Sequence, residues 1–255
     1  MRAAAAIIYN PGTGEILFDE NARSQRSIAS ITKVMTAVAF LADDPDLDRE
    51  VKIVSSDVRR ASTTYLRTGD RLTVGGLLHL LLIGSDNAAA RALARISPYG
   101  SDGFIDSMNR KAAELGLDST SYADPSGLRS ENVSSAYDMA RLIAHASSDF
   151  RIASVMQKAE HTVQTVRRPI KVRSTNKLIQ SGEYDIRAGK TGFIRAAGYC
   201  LVTLVRLPEA KDQLAVVVLG ARSNTGRFTE TQKLFSWLST RAPSLFATTA
   251  QVAPE

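Results

Sequence analysis

The sequence predicts an α+β fold, with one antiparallel sheet built from both ends of the chain and a block of helices inserted between them. Three observations carry this. A strand–turn–strand pattern opens the chain, Ala4–Tyr9 and Glu15–Phe18 around Asn10-Pro11-Gly12-Thr13-Gly14. Helix-spaced apolar runs then dominate residues 30–157. After them the period changes: His161–Val166, Ile186–Thr191, Tyr199–Leu207 and Leu214–Leu219 are β-branched or apolar runs separated by turns, the pattern of an antiparallel sheet.

Each element has a local reason. Asn-Pro-Gly-Thr-Gly supplies the residues a tight hairpin turn requires. Residues 21–29 are a polar lead-in to an apolar helix headed by Ser30-Ile31-Thr32-Lys33 and running to Leu41. Residues 42–50 form an acidic, solvated loop, and Val51–Val54 and Leu66–Leu72 read as short strands around Gly69-Asp70. Val74–Ile83 is apolar enough for a buried helix, which Gly84 breaks. Ser85-Asp86-Asn87 fills the break and Ala88–Ile96 resumes the helix. Phe104–Leu115 is amphipathic and ends on Gly116, a C-terminal cap. Residues 118–133 are turn-rich, Ser134 or Ser135 caps a helix through Ala146, and Phe150–Met156 is another short one. A last helix, Phe228–Leu238, has helical apolar spacing and is expected to pack on the sheet. Residues 241–255 show no period and read as a flexible tail, leaving a single domain over 1–240.

With 255 residues, 44% hydrophobic and 23% charged, the composition is that of an ordinary globular protein with ample core. The net charge is +6, but Lys and Arg are scattered, the adjacent arginine pairs being Arg59-Arg60 and Arg167-Arg168. No recognition-helix or aromatic-stacking pattern accompanies them, so nucleic acid is not an expected partner. The one cysteine, Cys200, rules out an internal disulfide and reads as a buried, inert thiol within Tyr199–Val202. His79 reads as a hydrogen-bonded core histidine; no second His, Cys or carboxylate stands at metal spacing, so neither metal nor cofactor is expected. No stretch is long enough to span a membrane. Met1-Arg2 leads into Ala3–Ile8 without a signal-peptide cleavage pattern.

Candidate chemistry begins at Ser30 and Lys33. Three apart at a helix start, they share one face about 5 Å apart. A lysine among Ile31, Val34 and Met35 loses hydration, which disfavours its ammonium form and suits it to take the serine's proton. Ser85-Asp86-Asn87 sits where side chains are free to face a cleft, Ser85 to shuttle a proton and Asn87 to bind an amide carbonyl. Lys190-Thr191-Gly192 closes a strand with a cation, a hydroxyl and a glycine that lets backbone approach a ligand. Alone, each also reads as ordinary helix surface, a polar helix break or a surface strand end.

Together and in this order, Ser-x-x-Lys, Ser-Asp-Asn and Lys-Thr-Gly are the recognised signature of class A β-lactamases and penicillin-binding proteins, an established grouping that spacing alone does not reveal. The likeness covers nearly the whole chain: the opening hairpin, Ile28–Ala37, Met108–Ala112, Glu114–Leu117, Asp124–Leu128, Ser174–Leu178 and Gly189–Phe193. These resemble the low-molecular-weight penicillin-binding D-alanyl-D-alanine peptidases, and Asn132–Ala136 with Ala197–Leu201 lean toward the branch called D-alanyl-D-alanine endopeptidases.

The resemblance implies a β-lactamase/DD-peptidase-like fold and a serine-type D-Ala-D-Ala carboxypeptidase or cross-link endopeptidase. It implies an acyl-enzyme on Ser30, with Lys33, Ser85 and Asn87 as one hydrogen-bonded set that passes the proton to the leaving amine. Backbone N–H groups of Ser30 and Phe193 would form the oxyanion hole. Lys190, Thr191 and Gly192 would bind substrate, with Arg227 assisting at its carboxylate unless it is a surface arginine before a helix. Peptidoglycan stem peptides are the implied substrate and β-lactams covalent inhibitors. That substrate lies outside the cytoplasmic membrane, so a periplasmic location and an apolar leader encoded ahead of Met1 are expected. Two departures stand out. Asp86 occupies a position where familiar members carry glycine; its side chain is expected to point away from Ser30. Residues 191–255 are too few for the C-terminal β-domain and amphipathic anchor of larger members, so no membrane anchor is expected. A class A β-lactamase is the alternative, against which no Glu-x-x-Leu-Asn segment lies between Asn87 and Lys190. A non-catalytic β-lactam or peptidoglycan sensor is another, but it need not keep all three motifs intact.

Overall fold

The computed structural model describes residues 2–206 and 213–247, with 241–247 by their backbone alone. Strands β1 (Ala5–Tyr9) and β2 (Ile16–Glu20) form the opening hairpin. Its turn is closed by Asn10, whose Oδ1 accepts from the N–H groups of Gly12 and Thr13 (2.9 and 3.3 Å). Beyond a two-residue strand β3 (Arg26–Ser27), a 3-10 turn at Ala29–Ile31 runs into α1 (Thr32–Leu41). Ser30 therefore lies on a 3-10 turn ahead of the α-helix predicted to contain it. Every residue of α1 is buried, so this helix is the centre of the helical block.

The short pair β4 (Glu50–Lys52) and β5 (Arg71–Thr73) brackets α2 (Ser55–Val58) and a long loop. Helices α3 (Val74–Leu82), α4 (Asn87–Ile96) and α5 (Gly100–Glu114) follow. Strand β6 (Val133–Ser134) pairs with β3, and α6 (Ala136–Ser148) and α7 (Phe150–Met156) complete the block. Of the two serines offered as a cap for α6, it is Ser135 whose side chain accepts from Asp138 N–H (3.0 Å). His79 is hydrogen-bonded as expected: Nδ1 donates to Gly75 O (2.8 Å) and Nε2 accepts from Lys158 (3.0 Å).

The C-terminal part holds β7 (Glu160–Val163), β8 (Ile170–Arg173), α8 (Lys177–Ser181), β9 (Asp185–Ile194), β10 (Gly198–Arg206), β11 (Gln213–Ala221) and α9 (Asn224–Ala247). The main sheet has order β2-β1-β11-β10-β9 and is antiparallel throughout, both chain ends meeting at β1 and β11 with Ile7 opposite Val217. Alternate residues feed two cores. Ile7, Val202, Val217 and Leu219 face the helical block; Ile8, Leu201, Val216 and Val218 face Phe228, Leu234, Phe235 and Leu238 of α9. Burial on both faces explains why these strands read as continuous apolar runs.

That difference corrects one expectation. His161–Val166 is not in the main sheet; β7 pairs in a separate hairpin with β8, a strand that no apolar run announces. Only one face of β8 is buried, Ile170 and Val172 alternating with exposed Lys171 and Arg173, as suits a hairpin lying on the surface. Helix α8 is likewise unannounced, being too short to show a period. The backbone of α9 runs to Ala247, past the Leu238 limit set by apolar spacing, because that spacing reports burial and not where helical backbone stops. Leu207 and the tail beyond 247 lie outside the described residues.

Candidate active site

Ser30 sits at the junction of the two layers. Its turn is tight because Ala29, fully buried, takes a left-handed φ of 49°. Two glycines clamp it. A Cβ at Gly192 would come 2.7 Å from Ile28 O and 3.1 Å from Ser30 N, and one at Gly127 would lie 2.1 Å from Ala29 O. Only glycine lets strand β9 and the 124–128 loop approach the serine this closely.

One turn on, Lys33 is fully buried, and its Nζ lies 2.9 Å from Ser30 Oγ. Nζ also donates to Asn87 Oδ1 (2.6 Å) and to the backbone carbonyl of Ser126. The Asn87 amide is oriented by its own Nδ2, which donates to Ala61 O (2.7 Å). A neutral amine has two N–H donors and one lone pair. Asn87 Oδ1 and the Ser126 carbonyl only accept, so they occupy both donors and leave the lone pair facing the Ser30 hydroxyl. Burial pushes the Lys33 ammonium down to about 7, against the opposing pull of Asp124 and Asp86. The base is thus both aimed and substantially neutral near pH 7.

Ser85, in the break between α3 and α4, has a left-handed φ of 59°. Its Oγ accepts from Lys190 Nζ (2.7 Å). This corrects the expectation of one set made by Lys33, Ser85 and Asn87: Asn87 joins Lys33, whereas Ser85 joins Lys190. The reason lies between them. Asp86, buried at the N-terminus of α4, accepts from Ala89 N–H (2.9 Å), Tyr65 N–H (2.6 Å) and Thr64 Oγ1 (3.0 Å), pinning the turn so that its neighbours diverge. Its carboxylate is taken up by these donors, away from Ser30, as expected. Burial raises its pKa, against those same hydrogen bonds.

Lys190 is as buried as Lys33 and has no carboxylate partner; Nζ donates to Ser85 and to Thr191 O (2.8 Å). Burial lowers its ammonium well below the usual lysine range, with the Lys33 and Arg227 charges adding to the effect. Thr191 Oγ1 shares a hydrogen bond with Thr175 Oγ1 (2.5 Å). Arg227 is not a surface arginine: it is 7% exposed, and Nη1 donates to Gly192 O (3.0 Å) and Nη2 to Asn224 Oδ1 (2.6 Å). Its buried Nε has no partner. Phe193, half exposed, stacks on Tyr199 with ring centroids 4.1 Å apart.

Ser30, Ser85, Asn87, Thr191, Phe193 and Arg227 all line one cleft of about 450 Å3, with Lys33 and Lys190 beneath its floor. No Asp or Glu lines it. A cavity of about 490 Å3 at the far end of the helical block, between Leu41, His145 and Phe150, has no such pairing of hydroxyl and amine; its Ser148 hydroxyl donates to His145 O. Sequence reasoning gives no role to the Ser126 carbonyl, Thr175 or Leu128. Asp124-Pro125-Ser126-Gly127 is legible as a turn, but nothing local tells that it docks on Lys33. Among the described residues, no cluster of His, Cys, Asp and Glu suits a metal ion, and no helix is long and apolar enough to cross a membrane.

The chain that presents these two hydroxyl–amine pairs to one cleft matches a known family. Its profile, described as D-alanyl-D-alanine carboxypeptidase of peptidase family S11, covers residues 1–223. The chain belongs to that family. Within it, the chain is 34% identical to the D-alanyl-D-alanine endopeptidase of Pseudomonas aeruginosa, over 94% of this chain and 78% of that protein. It is 31% identical to the D-alanyl-D-alanine endopeptidase of Escherichia coli K12, over 93% and 77%. The Streptomyces K15 DD-transpeptidase superposes with a TM-score of 0.87 at 29% identity, covering 93% of this chain and 97% of its own. The fold of this S11 chain is therefore that of the DD-peptidases, an antiparallel sheet flanked by helices.

Proposed function

We propose that this protein is a penicillin-binding serine DD-peptidase that hydrolyses D-alanyl bonds of peptidoglycan stem peptides through an acyl-enzyme on Ser30. The observation that carries this is the Ser30–Lys33 pair, 2.9 Å apart at the floor of an open cleft, with the lysine's pKa brought down to about 7.

In acylation, Ser30 Oγ attacks the penultimate D-alanyl carbonyl as its proton passes to the Lys33 lone pair. The developing oxyanion is held by the backbone N–H groups of Ser30 and Phe193, donors worth about 3 kcal/mol each in other acyl-transfer enzymes. The substrate carboxylate sits against Thr191 and the acid-free guanidinium of Arg227, with Lys190 beneath. The C–N bond breaks as Ser85 gives its proton to the departing amine and recovers one from Lys190. In deacylation, water attacks the ester, its proton moves through Ser85 to Lys190, and Lys33 returns the first proton to Ser30 Oγ. Atoms and charge balance over the cycle, with the bound substrate carboxylate favouring the ammonium form of Lys190 that supplies the proton.

The endopeptidase names of the Pseudomonas and Escherichia relatives favour cross-links as substrate alongside terminal D-alanine. Such a substrate places the protein outside the cytoplasmic membrane. Two measurements test the reading. A fluorescent penicillin should label the Ser30 peptide and fail to label Ser30→Ala. Purified monomeric and cross-linked muropeptides should lose D-alanine or split into monomers, read by mass. Label on Ser85, or no label, overturns the assignment.

A further inference from the structure

The two adjacent arginine pairs, Arg59-Arg60 and Arg167-Arg168, lie far apart in the chain, yet the fold brings their segments together beside the cleft. The tip of the β7–β8 hairpin docks on loop 59–71: Arg168 Nη2 donates to Tyr65 O (2.7 Å) and Arg167 Nη1 to Thr68 O (3.3 Å). That loop also carries Arg67 and Arg71, and both, like Arg59, Arg60 and Arg167, are exposed. Its other end is cleft wall. Ser62 and Thr63 line the cleft, and Ala61 O and Thr63 O accept from the side chain and backbone N–H of Asn87 (2.7 and 3.0 Å).

The acids that would neutralise these arginines are buried or engaged. Asp57 pairs with Arg95, Asp86 caps α4, Glu50 pairs with Arg71, and buried Asp70 lies 3.8 Å from Arg167. Among the described residues the side chains of Arg59, Arg60 and Arg67 have neither hydrogen bond nor ion pair. The loop is strained as well, with φ of 54° at Arg60 and 61° at Ser62, and Arg91 braces it by donating to Arg59 O (2.7 Å). Val166, 71% exposed, and Tyr65, 37% exposed, add apolar contacts at its hairpin end. Clustered like charges weaken a fold, and guanidinium forks suit carboxylates.

We infer that this arginine surface docks the wall polymer itself, through the carboxylates of stem peptides neighbouring the one whose D-alanyl end occupies the cleft. This rests on the peptidoglycan reading above. A peptide chain leaving the cleft over Ser62 and Thr63 passes directly onto the arginines, so the surface raises the local concentration of polymer and leaves short soluble peptides unaffected.

The test compares wild type with Arg59→Gln/Arg60→Gln/Arg67→Gln, side chains that brace nothing. Rates are measured on isolated cross-linked sacculi and on a soluble peptide ending in D-Ala-D-Ala, at about 50 and about 300 mM salt. The wild-type rate on sacculi is expected to fall roughly fivefold at the higher salt, and the triple variant to be slow by a similar factor at both. Soluble-peptide turnover and penicillin labelling should stay within about twofold of wild type. Unchanged salt dependence on sacculi, or parallel loss on the soluble peptide, overturns the docking surface. Sedimentation of Ser30→Ala with sacculi identifies the anion: amidated carboxyls should abolish binding, whereas loss after phosphodiester polymers are stripped overturns the carboxylate assignment. If wild type cleaves neither substrate but binds sacculi through these arginines, the catalytic reading fails and the docking surface stands.

Discussion

Lys33 donates from Nζ to the backbone carbonyl of Ser126, 93 positions further along the chain. This contact gives the lysine a second fixed acceptor beside Asn87, and with it the orientation of the lone pair. The carbonyl is held by Asp124. Oδ1 of that residue accepts from Ser126 N–H and Oγ (both 2.6 Å) and from Gly127 N–H (2.8 Å), while Oδ2 accepts from Arg129 N–H (2.6 Å) and Asn132 Nδ2 (2.9 Å).

Asp124 is therefore a positioning residue, and its two substitutions should separate. Asp124→Ala leaves three backbone N–H groups without their acceptor, so penicillin acylation should slow at least tenfold, with stability lowered by about 2–3 kcal/mol. Asp124→Asn keeps one acceptor oxygen and removes the charge that raises the Lys33 pKa. Its acylation should stay within a few-fold of wild type, with the pH midpoint moved lower. An unmoved midpoint would show that Asp124 does not act on Lys33.

Acylation should rise with pH through about 7, because only neutral Lys33 accepts the Ser30 proton and burial has brought its ammonium to about that value. Stopped-flow labelling across pH 5.5 to about 8.5 reads this midpoint. Lys33→Arg stays charged throughout and should lose acylation by orders of magnitude. A variant that labels near the wild-type rate would remove Lys33 from the mechanism.

Penicillin should behave as a near-stoichiometric inhibitor, with an acyl-enzyme lasting minutes or longer. No carboxylate lines the cleft to position a deacylating water, and Asp86 is committed to Ala89, Tyr65 and Thr64. Peptide acyl-enzymes lack the fused ring that stays in place and blocks water, so they still turn over. Rapid multiple turnover of a chromogenic cephalosporin would move the chain to the β-lactamase reading.

The stacked pair His79 and His161, with ring centroids 3.9 Å apart beneath Lys158, should make the fold acid-sensitive. Burial pushes His79 down to about 4, with the His161 and Lys158 charges adding to this against the Gly75 hydrogen bond. The unfolded chain binds that proton near the ordinary value of 6.5, so between about 6.5 and about 4 the unfolded state holds more protons. Stability is full above that window and falls as pH drops through it. Allowing for partial exposure, the loss is about 1–2 kcal/mol. Urea midpoints of wild type and His79→Gln at pH 7.5 and about 4.5 should differ in their pH slope, and equal slopes would remove His79 as the cause.

Local spacing determined a good part of this protein. Ser30 and Lys33 were legible because a three-residue step near a helix start places side chains on one face wherever that helix later packs. The same holds for Phe150–Met156 and for Gly116, whose left-handed φ of 62° ends α5. Periodicity also separated the helical middle from the two flanking β regions. Tertiary structure alone decided what meets what. Asn87 and Ser126 reach Lys33 from 54 and 93 positions away, and Ser85 turns to Lys190 because buried Asp86 pins the turn between it and Asn87. Arg227 was readable as a carboxylate-binding arginine or as a surface one, and only the packing of α9 on β10 and β11 decided that it is buried. Hydrophobic period specifies which face of an element is buried, whereas the partner that buries it depends on how all the elements fill one core.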